Sequence, residues 1–231
     1  EIGSGLVGSE MCIRDSPKPH AAESQLPSSR VDYFYFINKK SQGLVDVHGN
    51  TIIPLTANQA ILPPSDNMLR LAKVEKKQIA KAYYDLDAEV MVRISSSEKG
   101  KFGAFSHNLA PVSLDDELYF IDKKGNKVIG GLSKAFLSNE GYRVVQKGSA
   151  FGAIDSTGAV VIPIEYTNSL TSVNNGRLGV QKNASWFYVD MKGQIVSDKY
   201  DRIGNFHQGY ASVCLNKLWG AIDLQLSLIH I

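Results

Sequence analysis

Cysteine is nearly missing from this 231-residue chain, which has only Cys12 and Cys214, too few for a disulfide framework. Tryptophan is as scarce, with two residues. No apolar run approaches the ~20 residues that a membrane-spanning helix needs, so no membrane span is expected in this sequence. Charge of one sign is also lacking: 25 Lys and Arg stand against 23 Asp and Glu. The lysine pairs Lys39–Lys40, Lys76–Lys77 and Lys123–Lys124 fall at or near turns, where they blunt exposed strand edges. A nucleic-acid partner calls for basic residues concentrated on one face, so none is expected. His20, His48, His107 and His207 show no metal-ligand spacing. No phosphate-cradling glycine loop, nucleophile elbow or HExxH helix occurs. Leu114–Glu117, "LDDE", is the densest acidic cluster; a calcium loop needs several oxygens at close alternate positions, and this stretch reads as a solvated hairpin tip. No catalytic residue, cofactor or metal is therefore expected, and the chain does not read as an enzyme.

The two ends read as foreign to the rest. "LSLIHI" (226–231) is what one strand of a sequencing-adapter transposon end encodes, and "MCIRDS" (11–16) matches its reverse complement, preceded by "LVGSE". Residues 1–16 and 226–231 are accordingly expected to be adapter-derived. Setting aside 1–15 moves the net charge from +2 to +4 and leaves Cys214 as the single cysteine, a core or half-buried thiol in the alternation "YASVCL". Residues 17–30, "PKPHAAESQLPSSR", lack large apolar side chains apart from Leu26 and read as a flexible linker.

What remains is repetitive. Asp122, Asp155, Asp190 and Asp223 lie 33, 35 and 33 residues apart, and each is preceded by ten positions by a valine: Val112, Val145, Val180 and Val213. Asp46 continues the series upstream, and Asp85 is a degenerate member. Five to six units of about 33–39 residues thus fill 31–225, with the degenerate one around 61–100. There "NMLRLAKVEKKQIAKAYYDL" (67–86) is rich in Lys and Ala and tempts a helix, but Asp85 near the repeat position favours a diverged repeat.

Each unit has a legible division of labour. The residues leading to the Val alternate apolar and polar, the period of a half-buried strand. A pair suited to tight reversal follows, such as Asn183–Ala184 or Asn216–Lys217. The return strand carries a large apolar residue at a fixed place, Leu118, Phe151, Trp186 or Trp219; these are expected to pin the core, each contributing ~1.5–3 kcal/mol if buried. Asp then meets Gly three residues on: Asp46 with Gly49, Asp122 with Gly125, Asp155 with Gly158, Asp190 with Gly193. An Asp side chain accepts a backbone N–H two residues later and Gly closes the turn in the left-handed region, so DxxG is expected to reverse the chain and to do no chemistry. A third strand follows, as in "VVIP". Asp223 should meet Gly at 226 and meets Leu226 instead. Tyr119, Phe187 and Tyr188 are candidates for exposed aromatics that stack on sugars, against the alternative of cross-strand packing.

The pieces "FSHNLAPV" (105–112), "FHQGYASV" (206–213), "KLWGAID" (217–223) and "FGAIDSTGAVVIPIEY" (151–166) resemble the bacterial WG repeat. The pattern is strong from Phe105 onward and weak over 61–100, and only Trp219–Gly220 keeps the naming dipeptide. The resemblance implies an all-β tandem repeat array used for binding, without naming a ligand. A two-stranded hairpin is marginal alone, so the units must share cores. An open solenoid-like ribbon is expected, with a closed propeller-like ring as the alternative. The function expected is a non-catalytic scaffold for a protein or cell-envelope glycan, in the envelope or secreted. The alternatives are an enzyme whose catalytic part lies in flanking sequence, and a structural spacer.

Overall fold

A computed structural model describes residues 33–229 apart from 39, 76–77, 95–99 and 115. The adapter-like N-terminal segment, the linker with His20, three of the paired lysines and Asp115 lie outside the described residues, as do Cys12, His230 and Ile231. The described residues belong to one unit, Val31–Ile231.

The architecture is all-β, without a helix among the described residues. Twenty-two strands form six small antiparallel sheets laid along the chain, spanning 33–57, 59–94, 101–132, 134–166, 168–190 and 202–229. Every sheet is a meander in which consecutive strands pair, so no strand leaves its own unit to complete another. In the fourth sheet the order is Lys134–Asn139, Tyr142–Lys147, Ala150–Ile154, Val160–Tyr166. The expected hairpin and third strand are its last three members. The strand ahead of the hairpin is an addition, and in three sheets it is only two residues long, Lys101–Phe102, Asn168–Ser169 and Arg202–Ile203. Two residues are too few for an alternating pattern to be read.

The diverged unit is a sheet. Met68–Glu75 and Gln78–Asp85 pair antiparallel without a shift from Met68↔Asp85 to Glu75↔Gln78. Its Lys- and Ala-rich composition yields to the tertiary setting, since Leu69 and Leu71 are buried against the first sheet and Met68 and Tyr83 against the third.

Five apolar clusters hold the array, and each joins two consecutive sheets. The repeat Asp gives them a common frame. The residue two before it packs toward the following sheet, and the residue one before it packs toward the preceding sheet. Leu44 thus meets Tyr84, Tyr83 meets Ile121, Phe120 meets Ile154, Ala153 meets Val189, and Tyr188 meets Ile222 within the same clusters. Side chains of adjacent strand residues point to opposite faces, and both faces of an interior sheet are covered. That is why "FYVD" and "GAID" lack the alternation of a one-sided strand. The repeat valines Val112, Val145, Val180 and Val213 lie on the face turned to the preceding sheet.

The expected core pins are displaced by this rule. Leu118 and Phe151 are only half-buried at the margins of their clusters, Trp186 is half-buried, and Trp219 is 61% exposed. They stand four residues before the Asp, beside the hairpin tip, where the neighbouring sheet covers less. In the sixth sheet, no further sheet covers that face among the described residues. The centre belongs to the residues nearer the Asp, Tyr83, Phe120 and Tyr188 among them. Cys214 is buried, as its alternation suggested.

Candidate binding surface

The DxxG turns form one repeated edge, and their geometry is uniform. In each, the Asp carbonyl accepts the N–H of the residue three on, at 3.0–3.1 Å, in Gly49, Gly125, Gly158, Gly193 and finally Leu226. The carboxylate Oδ1 accepts the N–H four residues on, from Asn50, Asn126, Ala159, Gln194 and Ser227. In the first four turns it also accepts the N–H two residues on. The glycines hold φ between +77° and +87°, a region that side-chain-bearing residues enter at a cost. Leu226 occupies the same place at φ +65°.

These hydrogen bonds act on the acids. The side-chain amide of Asn50 holds the Asp46 carboxyl below the usual carboxylate range. At Asp122 and Asp155 partial burial pushes the other way, and the combined bonds from Asn126 and Lys124, or from Thr157 and Ala159, outweigh it, so both carboxyls are again lowered. A carboxylate whose Oδ1 accepts N–H groups of its own turn and whose ionised form those bonds favour is a poor general base. Among the described residues no group of three or more His, Cys, Asp or Glu is placed to hold a metal.

The same edge carries a second recurring device, for the strand register sets the turn into each hairpin beside the DxxG turn, as Met68 faces Asp85 and Arg177 faces Asp190. The turn from the leading strand into the hairpin holds two left-handed residues: Asp66–Asn67, His107–Asn108, Glu140–Gly141, Asn175–Gly176 and Gln208–Gly209. Such pairs twist as antiparallel strands do and close the tightest reversals. Neighbouring tips are laced together. Asp66 Oδ2 accepts the N–H of Asn108 at 2.8 Å, and the Glu140 carboxylate accepts those of Asn175 and Gly176 at 2.7 and 2.8 Å. His107 Nδ1 lies 2.8 Å from the Ser138 hydroxyl, so this histidine serves the lacing. His48 donates its backbone N–H to Asp46 and has no metal-ligand company.

Of the aromatics considered for sugar stacking, Tyr188 is fully buried, with its hydroxyl donating to the Gly204 carbonyl at 2.6 Å. It packs against the next sheet because it stands two before Asp190, which sequence alternation alone did not reveal. Tyr119 is half-buried under the Lys127 ammonium, 4.9 Å from its ring centre, and Phe187 is half-buried at the margin of a cluster.

Open space lies along the array. One cleft of about 450 Å³ includes Arg93, Glu117, Tyr119 and Lys127 in its wall. A second, of about 510 Å³, runs between Phe136–Asn139 of the fourth sheet and Thr171–Ser172 at the fifth. A third, of about 320 Å³, lies between the second and third sheets and is lined by Leu62, Arg70, Lys81, Tyr83, Lys101 and Phe102 among others. Of these residues the sequence singles out Tyr119 and, within the acidic cluster, Glu117, but none that lines the third cleft. The signal available was positional: Lys81 stands four before Asp85, where later units carry a large apolar residue.

Residues 151–186 and 186–219 each match the family described as WG containing repeat, and the two matches meet at Trp186 and end at Trp219. No curated protein matches the chain. Similar solved structures include a eukaryotic initiation factor, with 11% identity over 86% of this chain and 61% of that one at a TM-score of 0.46. TolB from Acinetobacter baumannii shares 12% identity over 81% of this chain and 58% of its own, with a TM-score of 0.29. Dipeptidyl peptidase 4 from Porphyromonas gingivalis shares 16% identity over 66% of this chain and 28% of its own, with a TM-score of 0.36. The chain spans less than two thirds of each, and at these scores and identities the likenesses transfer no activity to it.

Proposed function

We propose that this WG repeat-containing chain is a non-catalytic binding scaffold that holds a protein or a cell-envelope glycan along the seams between its sheets. One observation carries the reading. The acids that recur most regularly commit Oδ1 to N–H groups of their own turns, and open clefts of about 320–510 Å³ lie along the array. Volumes of this size suit a sugar ring or a peptide side chain. Two of the clefts border the second and third sheets and one lies between the fourth and fifth, and contacts linked along one chain add avidity without any new chemistry.

Among the described residues no helix is long and apolar enough to cross a membrane. The test is capture: immobilised chain challenged with envelope polysaccharide, and in parallel with a cross-linked protein extract. Retention of one partner, reduced by substitutions along a cleft and unchanged by Asp155→Asn in the turn edge, is the expected result. Retention of nothing in either arm contradicts the reading.

A further inference from the structure

We propose that the cleft between the second and third sheets is a binding site for a small organic anion, a carboxylate or phosphate carried on a ring. It deepens the scaffold reading and rests on it only in taking the ligand as bound and not transformed.

The diverged unit keeps the central contact of the seam. Tyr83 stands two before Asp85, as Tyr188 stands two before Asp190. Both are buried, and both donate their hydroxyl to a glycine carbonyl of the next sheet, Gly103 at 2.7 Å and Gly204 at 2.6 Å. Each ring meets the phenylalanine of that next unit, Phe105 or Phe206, with centroids 4.9 Å apart. The packing rule is therefore intact at the centre of this seam.

What changes lies beside it. Four before the Asp, where the last four units carry Leu118, Phe151, Trp186 and Trp219, this unit carries Lys81. Directly across from Tyr83 is Arg70, where Pro111, Val144, Gly179 and Ser212 face the matching residues of the later units. Strand alternation puts Arg70, Lys81 and Tyr83 on one face, and Lys101 joins them from the third sheet's edge. Arg70 and Lys81 thus stand where the later units carry uncharged groups, and with Lys101 they surround a space of about 320 Å³ walled by Leu62, Ala72 and Phe102.

Among the described residues their positive charge meets no local counter-charge. The Lys81 ammonium donates to the Gly100 carbonyl and sits 5.0 Å above the Phe102 ring centre. Arg70 Nη1 donates to the Phe102 carbonyl at 3.3 Å. Carbonyls and rings orient these groups but carry no counter-charge. Among the described residues no carboxylate lines the cleft, and none of the three cations forms an ion pair. Arg70 Nε is the one buried side-chain nitrogen or oxygen without a partner among them. Held cations in a partly dry cleft attract an anion strongly, and the apolar wall suits a ring. The competing account, long cations lying along apolar surface with their heads in water, predicts no ligand.

The experiment titrates the full chain by calorimetry with glucuronate, phenyl phosphate and glucose. At least one anion should bind about tenfold or more tightly than glucose, and the preferred anion identifies the group. Lys81→Leu should weaken that binding about tenfold or more while leaving the thermal transition in place, since Leu118 occupies the matching position of the third sheet. Arg70→Gln serves as a second variant should Lys81→Leu not fold. Equal affinity for glucose and both anions, or anion binding that survives both substitutions in folded protein, overturns the site. The probes are small and independent of any captured partner. A positive titration with a failed capture therefore sinks the scaffold reading alone, and the reverse sinks the anion site alone.

Discussion

The second and fifth sheets share a central device and differ around it. Both bury a tyrosine against the next sheet and tie its hydroxyl to a glycine carbonyl there. The fifth sheet surrounds that contact with Gly179 and Trp186, and the second surrounds it with Arg70 and Lys81. The difference teaches that the positions adjoining the repeat Asp are held by packing, whereas the flanking positions are free to change character. Family resemblance fades in the second unit because the flanking positions carry much of the recognisable pattern, including its aromatic.

The comparison breaks most directly at the shared tyrosines. Tyr83→Ala and Tyr188→Ala should each destabilise by about 3–5 kcal/mol in chemical denaturation, in keeping with loss of a buried ring. A small loss at Tyr83 alone would show that the diverged seam is not packed like the others. Trp219→Ala should cost under about 1 kcal/mol, because the indole is mostly exposed.

Burial pushes both tyrosine hydroxyls far above their ordinary ionisation range. Their folded values exceed the unfolded one, so this stability is complete below pH ~10 and is lost as pH rises through the folded values. Ultraviolet absorbance should show their phenolates appearing only together with alkaline unfolding.

Next in size is Gly152→Ala. A Cβ there would lie 2.6 Å from the Ile162 carbonyl oxygen and 2.8 Å from Ile164 Cα, backbone atoms that cannot swing away. A loss of about 1–3 kcal/mol is expected. The aligned positions in the third and fifth sheets carry Tyr119 and Phe187, so Tyr119→Ala should show no such clash.

The turn acids sharpen the other half of the comparison, between edge and seam. Asp155→Ala removes the acceptor for Thr157 N–H, Thr157 hydroxyl and Ala159 N–H and should cost about 1–2 kcal/mol. The lowered Asp46, Asp122 and Asp155 carboxyls contribute stability that is present above the ordinary carboxylate value of about 3.9 and lost as pH falls through their depressed folded values. The thermal midpoint should fall on acidification in that window, and less in Asp155→Asn. The smallest effect is a gain: Ala184→Gly relieves a non-glycine residue at φ +63° and should add up to about 1 kcal/mol.

The repeat frame was legible in the sequence because a tight turn has few chemical solutions. Asp accepting N–H groups at fixed offsets and Gly in the left-handed region leave a mark at constant spacing, and the valine ten residues earlier follows from strand length. Leu226 at the glycine position of the last turn shows the same frame by violating it. The leading strand left little mark in the third, fifth and sixth sheets, for a two-residue ladder has no period. The large aromatics misled because size suggests a centre, whereas coverage by the neighbouring sheet decides burial.

Local chemistry thus determined that the chain would fold into short antiparallel units of one design, where each would turn, and which residues would turn it. Only the stacking of sheet on sheet decided which face each strand residue meets, so that Tyr188 disappears into a seam while Trp219 stands in water. Stacking also set Lys81 and Arg70 around one cleft: the two lie eleven positions apart in the chain and share a face through strand pairing, opposite a sheet edge that no local pattern announces.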